Sequence, residues 1–150
     1  MAPHGKRSAF AYIGASLLLG ALPFVASPAV AQCSPAPPAS GDTVTCTGNP
    51  SGFTTTGLST LTVDVLAGTN FNGPFSASVM NQLTVTTAGN MQTMTFSAID
   101  VLTLAISGNI NNGITISGFN TLSLTNSGNI NNTLSITGTG NLSFLSLIHI

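Results

Sequence analysis

Beyond residue 31, the side chains able to do acid–base, redox or metal chemistry are Asp42, Asp64, Asp100, the pair Cys33 and Cys46, and His149, second from the end. General acid–base catalysis needs titratable groups converging on one substrate. Asp64 alternates with Val63 and Val65 and is read as pointing to solvent from a strand, Asp100 before Val101 as a turn or surface residue, and Asp42 as part of a Gly-Asp turn. Each is therefore a solvated charge, and no catalytic, cofactor-binding or metal-binding residue is assigned. The abundant Ser and Thr hydroxyls lack a neighbouring base to activate them. No Gly-x-Ser-x-Gly, zinc-ligand cluster or calcium-binding glycine–aspartate nonapeptide occurs. Asn131-Asn132-Thr133 and Asn141-Leu142-Ser143 match the N-glycosylation pattern, as an Asn/Ser/Thr-rich chain does by chance. The expectation is a protein that is not an enzyme and needs no cofactor.

The first residues decide the compartment. His4, Lys6 and Arg7 form a basic start, Ile13 to Val25 an apolar core, and Ala29-Val30-Ala31 a small-residue cleavage site, so residues 1–31 are read as a helical signal peptide cut between Ala31 and Gln32. A retained membrane anchor is disfavoured because the apolar run falls short of the roughly 20 residues a spanning helix needs, and Pro23 and Pro28 interrupt it. A lipoprotein would place a small residue, not Gln32, before Cys33. In an exported chain Cys33 and Cys46 are most simply one disulfide, whose closed loop contributes roughly 3 kcal/mol. A metal or redox pair would want closer spacing or neighbouring His ligands.

Removing residues 1–31 removes Lys6 and Arg7, the only Lys and Arg, and leaves three Asp for a net charge of about −3. Without cations the electrostatic term that dominates nucleic-acid binding is missing, as is attraction to anionic membranes. Solubility falls to Asn, Ser and Thr.

Residues 32–47 are a Pro/Ser/Thr-rich lead-in with Gly41-Asp42 as a turn before Thr43-Val44-Thr45-Cys46. From Gly48 the sequence divides into rows opening at Gly48-Asn49, Gly68-Thr69, Gly89-Asn90, Gly108-Asn109 and Gly128-Asn129, with lengths of 20, 21, 19 and 20 residues before the last. Each row holds two strand-like stretches. The first is anchored by Phe53, by Phe75 to Val79, by Met94 and Phe96, by Ile114 and Ile116, and by Leu134 and Ile136. The second is an apolar–hydroxyl–apolar triplet: Leu61-Thr62-Val63, Leu83-Thr84-Val85, Leu102-Thr103-Leu104, Leu122-Ser123-Leu124 and Leu142-Ser143-Phe144. Ser107 to Asn112 returns unchanged as Ser127 to Asn132.

Period-two alternation recurring about every ten residues, with Gly/Asn turns between, marks strands with one buried face. A row of about 20 residues is too small to bury its own apolar side and gains a core by stacking at roughly 4.8 Å. The expectation is an all-β chain with a β-solenoid over residues 48–144, a right-handed parallel β-helix held by its apolar interior and by Asn ladders at the corners. An antiparallel meander or sandwich is the alternative. After Phe144, polar corner residues are expected, yet Leu145 to Ile150 are mostly apolar. That string resembles the translation of a transposase adapter used in sequencing libraries, so residues 145–150 are read as an artefact, with a genuine last strand as the alternative.

The signal peptide, the Cys33…Cys46-Thr47-Gly48 lead-in and the Gly-Asn rows of Leu-Thr-Val strands together resemble the start of the passenger region of bacterial autotransporters (type V secretion), a repeat style shared by filamentous adhesins. The resemblance implies a β-helix carried to the cell surface by a C-terminal outer-membrane β-barrel of the same polypeptide, with a host or neighbouring-cell surface as partner and no nucleic acid. No segment reads as that barrel: its strands need about 9–11 residues and aromatic girdles, and there is no Tyr or Trp beyond residue 31. The function expected is an adhesin or stalk, at the cell surface or outer membrane or extracellular. The alternatives are the start of a secreted β-helix polysaccharide-degrading enzyme with its active site beyond residue 150, and a free secreted structural protein.

Overall fold

In the computed structural model residues 32–146 are described. The expected signal-peptide helix, Ala31 of the cleavage site, and Leu147 to Ile150 with His149 lie outside them. The described chain is all-β and coils through five rows. After the short β1 (Cys33–Ser34) and β2 (Thr43–Cys46), the rows are formed by β3 (Phe53–Thr56) with β4 (Thr60–Val65), by β5 (Phe75–Thr87), β6 (Met94–Ile106) and β7 (Ile114–Asn126), and by β8 (Leu134–Thr137) with β9 (Asn141–Ser146). Every row-to-row pairing is parallel, and β1 on β2 is the antiparallel exception. This is the β-solenoid with rows of about 20 residues.

The alternation read from sequence sets the stacking. Leu61, Leu83, Leu102 and Leu122 lie in one register column and Val63, Val85, Leu104 and Leu124 in the next, all buried, while the Thr and Ser between them face out. A one-residue slip would turn each apolar set to solvent, so the inward pattern pins the register. The first three rows take Phe rings: Phe53 stacks on Phe75 with centroids 5.0 Å apart, and Phe96 lies 5.8 Å from Phe75. Ala77 stands over Phe96 in the same column, a small residue beside a large one.

Three local features differ from the sequence expectation. First, the two stretches of a middle row are not separated by a Gly/Asn turn. They form one 13-residue strand bent at a single left-handed residue, Val79 (φ 54°), Ala98 (φ 51°) or Gly118 (φ 64°), with Gly57 (φ 73°) at the equivalent place in the first row. One residue with positive φ re-aims the strand without interrupting the backbone ladder for more than a few positions. Second, the row boundary near residue 68 is shifted by one. Asn70 bridges Asn90, and Thr69 rather than Gly68 lies against Gly89. Third, the Gly-Asn-Ile-Asn-Asn segment is more than a corner. Phe71, Met91, Ile110 and Ile130 in this part of each row point inward and are at most 5% exposed, closing a third side of the core.

The lead-in is also more than a linker. β1 turns back on β2, with Cys33 opposite Cys46, and that end of the chain closes the first turn. Both cysteines belong to the apolar core, joined as the expected disulfide.

Candidate interaction surface

Chemistry on this coil has to be sought on its outer faces, because the interior is largely apolar and the polar residues buried in it, Thr55, Thr69, Thr87 and Asn126, are uncharged. The three carboxylates are held apart by the topology. Asp42 accepts a 2.7 Å hydrogen bond from the Ala39 backbone N–H in the turn before β2. Asp64 faces outward from β4, between Thr45 and Thr86 in register. Asp100 lies just past the bend of β6, exposed, and its Oδ1 accepts from the Asn120 Nδ2 one row on at 3.1 Å. Asp64 thus faces outward as expected, and Asp100 is at the surface as expected, on a strand rather than in a turn. Among the described residues no group of three or more His, Cys, Asp or Glu could hold a metal ion. A cleft of about 370 Å³ separates the lead-in from the first row, but its walls, which include Cys33, Pro38, Pro50 and Phe53, carry no titratable group.

The structure instead brings together uncharged hydrogen-bonding groups in columns. On the first limb of each row the two outward positions are occupied by Ser or Thr in every row. Thr54, Ser76, Thr95, Thr115 and Ser135 form one column, and Thr56, Ser78, Ser97, Ser117 and Thr137 the other. Within it the Ser78 hydroxyl donates to Thr56 Oγ1 at 3.1 Å. On the second limb Thr43, Thr62, Thr84, Thr103, Ser123 and Ser143 form a third hydroxyl column, whereas the neighbouring outward columns are mixed, one running Thr60, Gln82, Val101, Thr121 and Asn141 and the other Thr45, Asp64, Thr86, Ala105, Thr125 and Leu145. Hydroxyl columns therefore run along both limbs, and the uniformity fails only in the Thr60 and Asp64 columns of the second.

The corner carries the expected asparagine ladder. Asn90 Nδ2 donates to Asn70 Oδ1 at 2.7 Å, Asn109 Nδ2 to Asn90 Oδ1 at 3.2 Å and Asn129 Nδ2 to Asn109 Oδ1 at 3.3 Å, at sequence separations of 20, 19 and 20 residues. Asn112 Nδ2 donates to Gln92 Oε1 at 3.1 Å on the same corner. Each amide has one donor and one acceptor side aligned with the rod axis, so a column of them links successive rows while keeping other lone pairs and protons for solvent or a partner.

Of the residues singled out from sequence, Cys33 and Cys46 are brought together, while Gln32 is exposed at the start of the described chain with its carbonyl accepting from Thr47 N–H at 3.3 Å. Reading single residues for catalytic types passes over the hydroxyl columns. Those of the first limb appear only when the rows are laid over one another in the correct register.

No protein-family model, no curated protein and no solved structure compared with this chain matches it.

Proposed function

We propose that the chain is a non-catalytic β-solenoid segment that works as an adhesin or stalk, exported through the signal peptide of residues 1–31 and forming the N-terminal part of an autotransporter passenger. The observation that carries this reading is the in-register stack itself, which presents hydroxyl columns and an amide ladder along one axis and, among the described residues, holds the three carboxylates apart. A rod of this kind gains contacts by repetition: each row adds about 4.8 Å of length and the same outward groups. Many weak, aligned hydrogen bonds to one surface add up through effective concentration, without needing a pocket. We read the coil as right-handed, the hand that parallel strands joined by crossovers favour. The disulfide at its N-terminal end suits an oxidising compartment.

Two measurements test the reading. The genomic coding sequence beyond Phe144 is expected to continue with rows of the same kind and to end in an outer-membrane β-barrel. A stop codon with neither removes the autotransporter assignment. Mass spectrometry of the chain expressed with its own N-terminus in a Gram-negative host is expected to find Gln32 as the first residue. An intact N-terminus in the cytoplasm would overturn export.

A further inference from the structure

Cleavage between Ala31 and Gln32 puts Gln32 at the head of the mature chain. Gln32 is exposed, and its carbonyl accepts from the Thr47 N–H at 3.3 Å, one residue ahead of the Cys33 and Cys46 pairing of β1 with β2. It lines the cleft of about 370 Å³ together with Ala36, Pro37, Pro38, Pro50 and Phe53. None of Asp42, Asp64 and Asp100 is among the walls of that cleft. Beyond residue 31 the chain has no Lys and no Arg, so an α-amine on Gln32 is its one strong cation. That charge stands beside a largely apolar wall that offers it no carboxylate partner.

We propose, resting on the export reading above, that Gln32 is a modification site: its freed α-amine closes onto its own side-chain amide, and the mature chain begins with pyroglutamate. The step balances within one residue. The unprotonated α-nitrogen attacks Cδ, a bond from that nitrogen to Cδ forms, and the Cδ–Nε2 bond breaks. Nε2 leaves as ammonia, carrying the proton that the α-nitrogen gives up, and no oxidant or other co-reactant enters. An α-amine ordinarily titrates near neutrality, so part of it is the free nucleophile. Both reacting groups belong to the same residue, which supplies the proximity that a bimolecular amide exchange lacks.

The folded chain is built to keep the product. The atom that docks Gln32 on Thr47 is the main-chain carbonyl oxygen, which the lactam leaves in place. The reaction consumes only the amine and the side-chain amide, and exposure leaves room for the ring. A neutral ring then replaces an unpartnered ammonium against Pro37, Pro38 and Pro50. Termini are where proteolysis concentrates, and the lactam removes the amine that an aminopeptidase grips. The end of the coil that the Cys33–Cys46 disulfide fastens is thereby also closed to exopeptidases.

The test uses the full chain, expressed with its own N-terminus in a Gram-negative host, purified from the exported fraction and followed over several days in warm neutral buffer. Intact-mass spectrometry is expected to find a chain that starts at residue 32 and becomes lighter by one ammonia. An amine-acylating reagent is expected to label that lighter chain nowhere, because it holds no Lys and no free α-amine. Gln32→Ser is expected to keep its full mass and to take one label per chain. If that variant is not processed, the wild-type mass and labelling decide. A chain that starts at Gln32 and keeps its ammonia and its reactive amine throughout overturns the inference and leaves export standing. A chain that retains residues 1–31, or starts elsewhere, overturns the cleavage reading and this inference with it.

Discussion

Asn90 donates its Nδ2–H to the Oδ1 of Asn70 at 2.7 Å while its own Oδ1 accepts from Asn109 at 3.2 Å, so one exposed side chain ties three rows together. Asn90→Ala removes both links. Each net hydrogen bond contributes about 0.5–1.5 kcal/mol and water replaces part of the loss at this exposed site, so a destabilisation of about 1–2 kcal/mol is expected in urea unfolding. Asn90→Asp keeps an acceptor for Asn109 but, ionised, sets a carboxylate against the Asn70 oxygen. Its folded-state pKa is therefore raised above the ordinary Asp value of about 3.9. For a raised acid the penalty is full above the folded pKa and fades as pH falls through it, so the deficit of this variant against wild type should shrink in acid. A deficit that is constant from neutral pH to pH 3 would refute the donor argument.

Much of the fold was legible because the second limb is written in strict alternation: Leu83-Thr84-Val85 and its equivalents carry enough period-two signal to give both strand and register. The bends were not legible. Val79 and Ala98 are poor left-handed residues by type, and only the stacked rows on either side, with Gly57 and Gly118 in the same column, dictate their conformation. Ile110 was hidden by its Asn neighbours, which read as a corner although the backbone there still alternates. The row boundary slipped at Gly68-Thr69 because a glycine matched the pattern one residue early. The disulfide was readable because only two cysteines exist, whereas the closing role of the lead-in depends on contacts that a Pro-rich sequence does not announce. Of the candidate surface, the asparagine corner was expected and the triplets already aligned Thr62, Thr84, Thr103, Ser123 and Ser143, while the hydroxyl columns of the first limb needed the true register.

Gly108 lies between Gly89 and Gly128 in a column where successive backbones come together. A Cβ on Gly108 would overlap the Gly89 carbonyl oxygen, and one on Gly128 would overlap that of Gly108. These positions do not need positive φ, so the requirement is steric. Because the obstructing atom is backbone, the rows must part to relieve the clash. Gly108→Ala is expected to cost about 1–3 kcal/mol, against a few tenths for Ala105→Ser on the half-buried outer side of β6, as surface substitutions usually do. Thermal unfolding of the two variants compares them directly.

Val79 sits at φ 54° with its side chain 60% exposed. The left-handed region costs an L-residue about 1–2 kcal/mol, and β-branching crowds the backbone further. Little burial is lost on removing the side chain. Val79→Gly relieves the strain against an entropy cost of about 0.5–1 kcal/mol, so a net stabilisation of up to about 1 kcal/mol is expected. Gly57→Val, at φ 73° in the same column, should destabilise by at least the strain cost. The pair fails as an account of the bend if both substitutions shift stability in the same direction.

The disulfide joins residues 13 apart in sequence and closes the end of the coil where it is most needed. Chain-entropy reasoning puts its contribution at about 3 kcal/mol. The Cys33→Ala, Cys46→Ala double variant is expected to lose about that much, with the loss concentrated at one end. Hydrogen exchange should accelerate in β2 and β4 first and leave β7 near its wild-type rate, because rows contact only their neighbours. Uniform acceleration across all rows would show that the coil opens as one cooperative unit.

The same one-dimensional logic separates two leucines of equal chemistry. Leu104 in β6 is 0% exposed with rows on both sides, whereas Leu142 in β9 is 51% exposed with a row on one side. Leu104→Ala removes fully buried methyl groups and leaves a cavity between two rows that cannot both collapse, for an expected loss of about 2–5 kcal/mol. Leu142→Ala gives up only half-buried surface and should lose less than about 1.5 kcal/mol. Leu102 and Leu122, both 0% exposed, should follow Leu104. If all four variants unfolded at the same urea concentration, burial between rows would not be what holds the stack together.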